Sequence, residues 1–261
     1  MEFLESEENI REEKKMHKEP ISVCMACYYG EEYIEEQMIS ILEQLGADDE
    51  LIIIDDHSQD KTGQIVQEMN DKRIRYVLNE KNLGVNRSFE KAIRMAKHNY
   101  VFMADQDDLW TEGRVEAMMQ KLHAGVLLVS GNSTAIDGKG HRSDYELGVL
   151  LQKDSKAYRK NILRIFTGKA YYYGCAMAFR RELRKVILPF PAYIESHDLW
   201  IAMAANMLKS NAHLEKIVLK RRIHGKNASV LQRSLKEKIF SRWIFVRSYG
   251  TLLRRLLKGG I

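Results

Sequence analysis

The run Tyr100-Val101-Phe102-Met103-Ala104-Asp105-Gln106-Asp107-Asp108-Leu109-Trp110 decides how the rest of the chain is read. Its first half is a short apolar run with the length of a buried strand. Three carboxylates then fall within four residues, and like charges that close repel one another. A hard divalent cation, which prefers oxygen ligands, would turn that repulsion into binding. The same residues also fit an acidic turn in which Asp108 or Thr111 caps a helix starting near Glu112. An EF-hand loop is excluded, because Leu109 and Trp110 stand where that motif needs an oxygen ligand and a glycine.

Outward from this run, strands and helices alternate with short links. A strand is expected at Ile21–Cys27, followed by a Tyr28-Tyr29-Gly30 turn and a helix over 32–45 whose apolar residues recur at three and four. The β-branched run 51–54 reads as a central parallel strand and ends in Asp55-Asp56. A helix through Ile65, Val66 and Met69, a strand over 73–78, a turn at Asn82-Leu83-Gly84 and a helix over 87–97 lead into Tyr100. Beyond it come a helix over 112–123 and a strand over 125–130. This alternation implies a mostly parallel sheet with right-handed crossovers, whose strand C-terminal ends share one edge. Ligands of open α/β sheets bind at that edge, where Tyr28, Asp56 and Asp107 would lie together.

The second half is more irregular. It reads as a loop over 136–154, a helix over 157–166, an aromatic cluster at Tyr171-Tyr172-Tyr173 and a strand over 174–180. A stiff Pro189-Phe190-Pro191 link, a helix opening near Ser196-His197-Asp198 and a strand over 213–219 follow. The expected divisions are a charged tail over 1–19, one domain over 20–230 with halves at 20–130 and 131–230, and a basic amphipathic helix over 231–261.

With 261 residues, 45% of them hydrophobic, the chain can bury a substantial core. No uncharged stretch approaches the roughly 20 apolar residues of a bilayer crossing, so no transmembrane helix is expected. The acidic, charged N-terminus lacks the apolar core of a secretory signal, so a cytoplasmic protein is expected. Three cysteines suit a reducing compartment, and Cys24, Cys27 and Cys175 read as small buried hydrophobes rather than a redox or zinc site.

Charge is uneven. From Lys220 onward twelve Lys and Arg face one acid, Glu237, so this segment carries +11 and the remainder −6 of the total +5. Within it, Ile239, Trp243, Val246, Leu253 and Leu257 share one side of a helix over 234–258, with Arg242, Arg247, Arg254 and Lys258 around them. Docking on the domain and lying on an acidic membrane surface both use that pattern. Nucleic-acid binding is not expected, since no recognised module accompanies the basic run.

Taken together, the Tyr28 strand, Ile-Ile-Ile-Asp-Asp-His-Ser-Gln-Asp, Asn82-Leu83-Gly84, Asp105-Gln106-Asp107-Asp108-Leu109-Trp110, His197-Asp198 and the run from Arg222 to Asn227 resemble a family 2 glycosyltransferase. Within that family they are most similar to the bacterial rhamnosyltransferase-like group that builds surface polysaccharides. The resemblance spans about residues 20–229 and implies a GT-A fold, an α/β Rossmann-like sheet flanked by helices. It implies a dTDP- or UDP-linked nucleotide sugar as donor, a Mg²⁺ or Mn²⁺ cofactor, and a glycan or lipid-linked acceptor.

By that resemblance Asp56 accepts a hydrogen bond from a uracil or thymine N3, Tyr28 lines the base pocket and Asp105 lies near the ribose. Ala26, Gly84, Arg87, Gln106 and Arg222 are the other implied donor contacts. Asp107 is the implied metal ligand, with His224 a further metal or diphosphate contact and Lys226 a phosphate contact. Asp198 is the implied base of an inverting transfer. Two departures are visible: Ala26 stands where the family often has a small hydroxyl residue, and the first motif lacks its proline. No Gly-x-Gly-x-x-Gly fingerprint, Walker A loop or His-Glu-x-x-His helix is present, which argues against dehydrogenase, NTPase and metalloprotease chemistry. A nucleotidyltransferase and a non-catalytic nucleotide- or nucleic-acid-binding module remain as alternatives.

Overall fold

The apolar runs build one sheet with helices on both faces. The computed structural model describes residues 19–224 and 234–259. β1 (Ile21–Cys27), β2 (Glu50–Asp55), β3 (Ile74–Leu78) and β4 (Tyr100–Asp105) alternate with α1 (Ile34–Leu42), α2 (Thr62–Glu68) and α3 (Val85–Met95). Then come β5 (Leu109–Trp110), α4 (Arg114–His123), β6 (Leu128–Ile136) and α5 (Tyr158–Thr167). The last elements are β7 (Met177–Arg180), α6 (Arg184–Ile187), α7 (His197–Met207), β8 (Asn211–Arg222) and α8 (Leu235–Leu257).

Strand order is β3-β2-β1-β4-β7-β6-β8-β5. β1 to β4 pair in parallel, and β8 is parallel to β6. Only β7 and β5 run against their neighbours. The mostly parallel α/β sheet expected from the sequence is therefore the one found. Side chains alternate across it: Val23, Met25, Leu51, Ile53 and Phe102 pack with α1, α2 and α4, whereas Cys24, Ile52, Ile54, Val101 and Met103 pack with α3 and α5 to α8. β7, from the expected second half, sits between β4 and β6, so both halves share one sheet.

Three differences from the sequence reading have clear causes. β6 and β8 extend well beyond their apolar cores, because Asn132, Ser133 and Lys220 are paired on a ladder that bulges around Asn132, with Lys216 in the unpaired stretch beside the bulge. Gly131 is required there, since a Cβ would overlap Val218. The strand expected over 174–180 is shorter, its first three residues forming a 3₁₀ turn. The two-residue β5, pairing with β8, was not expected.

β5 bends the whole sheet. Asp105 ends β4 and Leu109 begins β5, a link of three residues whose four Cα–Cα steps span at most ~14 Å. In a flat sheet the fourth and eighth strands would lie ~19 Å apart. The sheet must curl to close that gap. Arg114, fully buried at the start of α4, holds the curl: its Nη2 donates to Met103 O (3.1 Å) and Cys175 O (2.6 Å), and the guanidinium lies 4.1 Å above the Trp110 ring. Burial pulls its pKa down to about 9.

α8 docks through Ser241, Ile244, Phe245, Ser248 and Leu252, all buried. The stripe that the sequence marked as apolar, Ile239, Trp243, Val246, Leu253 and Leu257, faces outward instead. The expected tail lies outside the described residues, apart from Glu19.

Replacing Arg114 by Met strands buried carbonyls that the guanidinium satisfies. Urea denaturation should show Arg114→Met less stable by about 3 kcal/mol; a loss below about 1 kcal/mol would mean that the curl does not depend on it.

Candidate active site

The C-terminal ends of β1, β2 and β4 and the first turns of α3 and α7 border one cleft of ≈ 380 Å³. Its lining includes Ala26, Tyr28, Asp56, Asn82, Gly84, Ser88, Asp105, Gln106, Asp107, His197, Asp198 and Arg221. Open parallel sheets leave such a crevice where the strands end and the chain turns away.

At the β2 side, Asp56 organises the neighbouring loop. Its Oδ1 accepts from Leu83 N (2.8 Å) and Asn79 Nδ2 (2.9 Å), and its Oδ2 from Gly84 N (2.7 Å). Gly84 has φ +84°, a left-handed conformation in which a side chain would be strained, and stands directly before α3. Next to it, the Gln106 amide clamps the β1 turn: Tyr28 N donates to Gln106 Oε1 (2.6 Å) and Gln106 Nε2 donates to Tyr28 O (3.1 Å). Gly30 lacks a side chain for this reason, since a Cβ would lie 2.7 Å from Gln106 Oε1.

The acidic turn is divided by burial. Asp108 is buried, and its Oδ1 accepts from Arg222 N (3.0 Å) while Oδ2 finds no hydrogen-bond partner. Asp107 is half-buried, with Oδ2 2.8 Å from His224 Nε2. The His224 ring stacks on Tyr33 at 5.2 Å. Burial, and then the charge of Asp107, raise the carboxyls of Asp105 and Asp108 to about 6 and about 8. Ligand atoms of Asp105, Asp108 and Cys175 fall within 4.8 Å of one another. Burial pushes the Cys175 thiol well up, so it stays protonated and acts toward the carboxyls as a donor rather than a ligand. Asp107 and His224, already 2.8 Å apart, are the neighbouring groups that could take part with Asp105 in holding a cation.

Asp198, which also lines the cleft, is half-buried in the first turn of α7. It is not the cap, which is Ser196. Asn86 stitches this segment to α3: its Nδ2 donates to Ile194 O (3.1 Å), and its Oδ1 accepts from His197 N (3.0 Å). The His197 ring packs on Phe89 with centroids 4.1 Å apart, and burial lowers its pKa. His197 is therefore neutral at pH 7, and it borders the cleft beside Asp198.

A family model described as glycosyl transferase family 2 matches residues 22–188. The chain belongs to that family. It is similar to an uncharacterized glycosyltransferase of Methanocaldococcus jannaschii, 29% identical over 236 residues that cover 87% of this chain and 78% of that protein. It is also similar to the GalNAc(5)-diNAcBac-PP-undecaprenol beta-1,3-glucosyltransferase of Campylobacter jejuni, 32% identical over 155 residues. That match covers 58% of this chain and half the length of the relative. Among solved structures, a Pyrobaculum calidifontis mannosyltransferase in complex with GDP-Man and Mn²⁺ superposes with a TM-score of 0.61 at 18% identity, covering 94% of this chain and 77% of that one. The fold is thereby the GT-A fold of the family.

In this family 2 chain, eight of the residues singled out from sequence meet in the cleft: Ala26, Tyr28, Asp56, Gly84, Asp105, Gln106, Asp107 and Asp198. His224 joins them through Asp107. Two do not. Arg87 points away, binding Glu90 and Phe190 O (3.0 Å). Arg222, 1% exposed, donates to Asp107 O (2.9 Å), Gly138 O (3.1 Å) and Glu36 Oε2 (2.6 Å), so its guanidinium braces the acidic turn from behind. Arg221 lines the cleft in its place, its guanidinium 4.2 Å above the Tyr173 ring. Asn86 and Arg221 are the residues that sequence reasoning missed. Lys226 lies outside the described residues.

A carboxyl with a raised pKa favours the folded state while protonated. That contribution is complete below the ordinary value of 3.8 and is lost as pH rises through about 6 and about 8. Thermal unfolding in chelator should therefore show stability declining across this range. Asp108→Asn, which cannot ionise, should decline less and gain about 3 °C or more over the parent at pH 8 but not at pH 4; equal slopes would place the strain elsewhere.

Proposed function

We propose that the chain is an inverting, metal-dependent transferase that moves a sugar, rhamnose or a hexose, from a uridine or thymidine diphosphate to an acceptor hydroxyl. The observation that carries this reading is the presence of Asp198 and of the Asp105 and Asp107 carboxyls in the lining of one cleft. A carboxylate offers about four lone-pair sites. Three hydrogen bonds occupy Asp56, leaving one acceptor position for the N3–H of a pyrimidine beside Tyr28. Asp107 and His224, with Asp105, would hold the cation, which when bound supplies positive charge to the leaving diphosphate. Arg221 adds a fixed positive charge on the same side of the cleft.

Asp198 acts as base. As the acceptor oxygen bonds to C1 of the sugar, its proton passes to the Asp198 carboxylate. The bond between C1 and the β-phosphate oxygen breaks on the opposite face, and the electron pair leaves with the nucleoside diphosphate. Backside attack inverts the anomeric centre. Asn86 and neutral His197 hold the backbone that aims Asp198, and a neutral imidazole does not compete with the acceptor proton. The acceptor is a growing or lipid-linked glycan at the inner face of a membrane. The undecaprenol-linked substrate in the name of the Campylobacter relative supports that class.

Two substitutions separate the roles. Asp198→Asn should lower turnover by about 10²- to 10⁴-fold while calorimetry shows donor binding intact. Asp107→Ala should abolish both turnover and the Mn²⁺ dependence of donor binding. Full transfer by Asp198→Asn would remove it from the base role. Metal-independent donor binding by the parent protein, tested against a panel of nucleotide sugars, would remove the cation.

A further inference from the structure

α8 presents a second apolar face that nothing in the described fold covers. Ile239, Trp243, Val246, Leu253 and Leu257 are 65, 54, 59, 42 and 79% exposed. At 100° per residue they fall within one narrow stripe, opposite the docked line of Ser241, Ile244, Phe245, Ser248 and Leu252. The stripe runs most of a helix ~34 Å long. A monomer that buries most of its apolar side chains rarely leaves a patch this long open without a partner.

Charge identifies the partner. Lys236, Arg247, Arg254 and Lys258 flank the stripe on one side, and Lys238 and Arg242 on the other. The helix contains one acid, Glu237, and that carboxylate is turned into the N-terminal capping box, accepting from Ser234 N at 2.6 Å. A second copy of α8 laid against the first would bring cations onto cations. An anionic sheet with an apolar interior matches both the stripe and its flanks. No helix of the described residues is long and apolar enough to cross a membrane, so the contact is a surface one.

We propose that the outer face of α8 lies flat on an anionic lipid surface, its apolar stripe entering the headgroup–acyl boundary and its flanking cations meeting headgroup phosphates. The contact also orients the cleft. α8 is bonded to the segment leading into Asp198 by Ser241 Oγ to Glu195 Oε1 (2.6 Å) and by Arg255 to Val186 O (2.7 Å) and Pro189 O (2.6 Å). A bilayer beneath α8 therefore stands in a fixed relation to the Asp198 side. This orientation rests on the transferase reading, whereas lipid binding does not.

The test uses the full chain and vesicles of phosphatidylcholine with or without phosphatidylglycerol, with no donor or acceptor present. The protein should float with the anionic vesicles only, and its tryptophan emission should shift to the blue. Trp110 and Trp200 are buried, so the shift belongs to Trp243 and should vanish in Trp243→Phe. Arg254→Gln with Lys258→Gln should weaken partitioning about thirtyfold. Ile239→Ser with Val246→Ser and Leu257→Ser should weaken it about a hundredfold or more. Both variants replace exposed residues, so circular dichroism and donor binding should match the parent. Failure of the parent to bind anionic vesicles, or equal binding by the variants, would overturn the proposal. A parent dimer in light scattering that the triple variant dissolves would also overturn it, assigning the stripe to a second copy.

Discussion

Three residues join β4 to an edge strand four places away, and the candidate site is a product of closing that distance. The curl carries the end of β8 back over the acidic turn, so that Arg222 and His224 meet residues more than a hundred positions earlier. Asp108 completes the closure by accepting from the Arg222 amide, and it does so as a buried carboxyl with one oxygen unpartnered. Burial of this kind destabilises the charged form. The fold tolerates it because Arg114 and Arg222, themselves buried, surround the turn with positive charge and donors. The acid at the end of β4 is therefore divided: all three carboxyls border the cleft, but Asp108 is also tied to the Arg222 amide that closes the sheet.

The parallel core was legible because its strands are nearly unbroken apolar runs that end in acid, as 51–56 and 100–105 do. Burial on both faces permits no polar alternation, and the run length distinguishes strand from helix. The ladder of β6 and β8 carries no such signature. Its far half contains Asn132, Ser133, Lys216 and Lys220, residues that a strand accepts only when one face is wet or a neighbour supplies hydrogen bonds. Asn132 illustrates this, bonding both to Leu150 N (2.8 Å) and to Leu150 O (3.0 Å) across the sheet edge. β5 has two residues and exists only because β8 is there to pair with it.

At the site, residue types were legible and their directions were not. Successive side chains of a strand point to opposite faces. The choice between Arg221 and Arg222 is thus a question of register, which depends on the bulge near Asn132 and on the grip of Asp108. The sequence reading marked Arg222 and passed over its neighbour; only the pairing of β6 with β8 puts Arg221 into the cleft and Arg222 behind it. Arg87 fails for a related reason. It lies one helical position beyond Asn86, and a step of 100° separates the residue that bonds Ile194 and His197 from one that turns to Glu90.

The same geometry explains why the sequence left the role of α8 open between docking and a membrane surface. Its outward stripe is large and apolar, and its inward line is interrupted by Ser241 and Ser248, so the docking face carries the weaker apolar signal. Small residues at those positions let the helix approach the 194–196 segment closely, and Ser241 spends its hydroxyl on Glu195. The serines therefore fix the helix beside the start of α7, which frees Trp243 and Leu257 from any structural duty. A fold that needed those side chains for stability would have turned them inward. Their exposure on a helix so firmly tied to the Asp198 segment is the mark of a surface whose apolar character answers to something outside the chain.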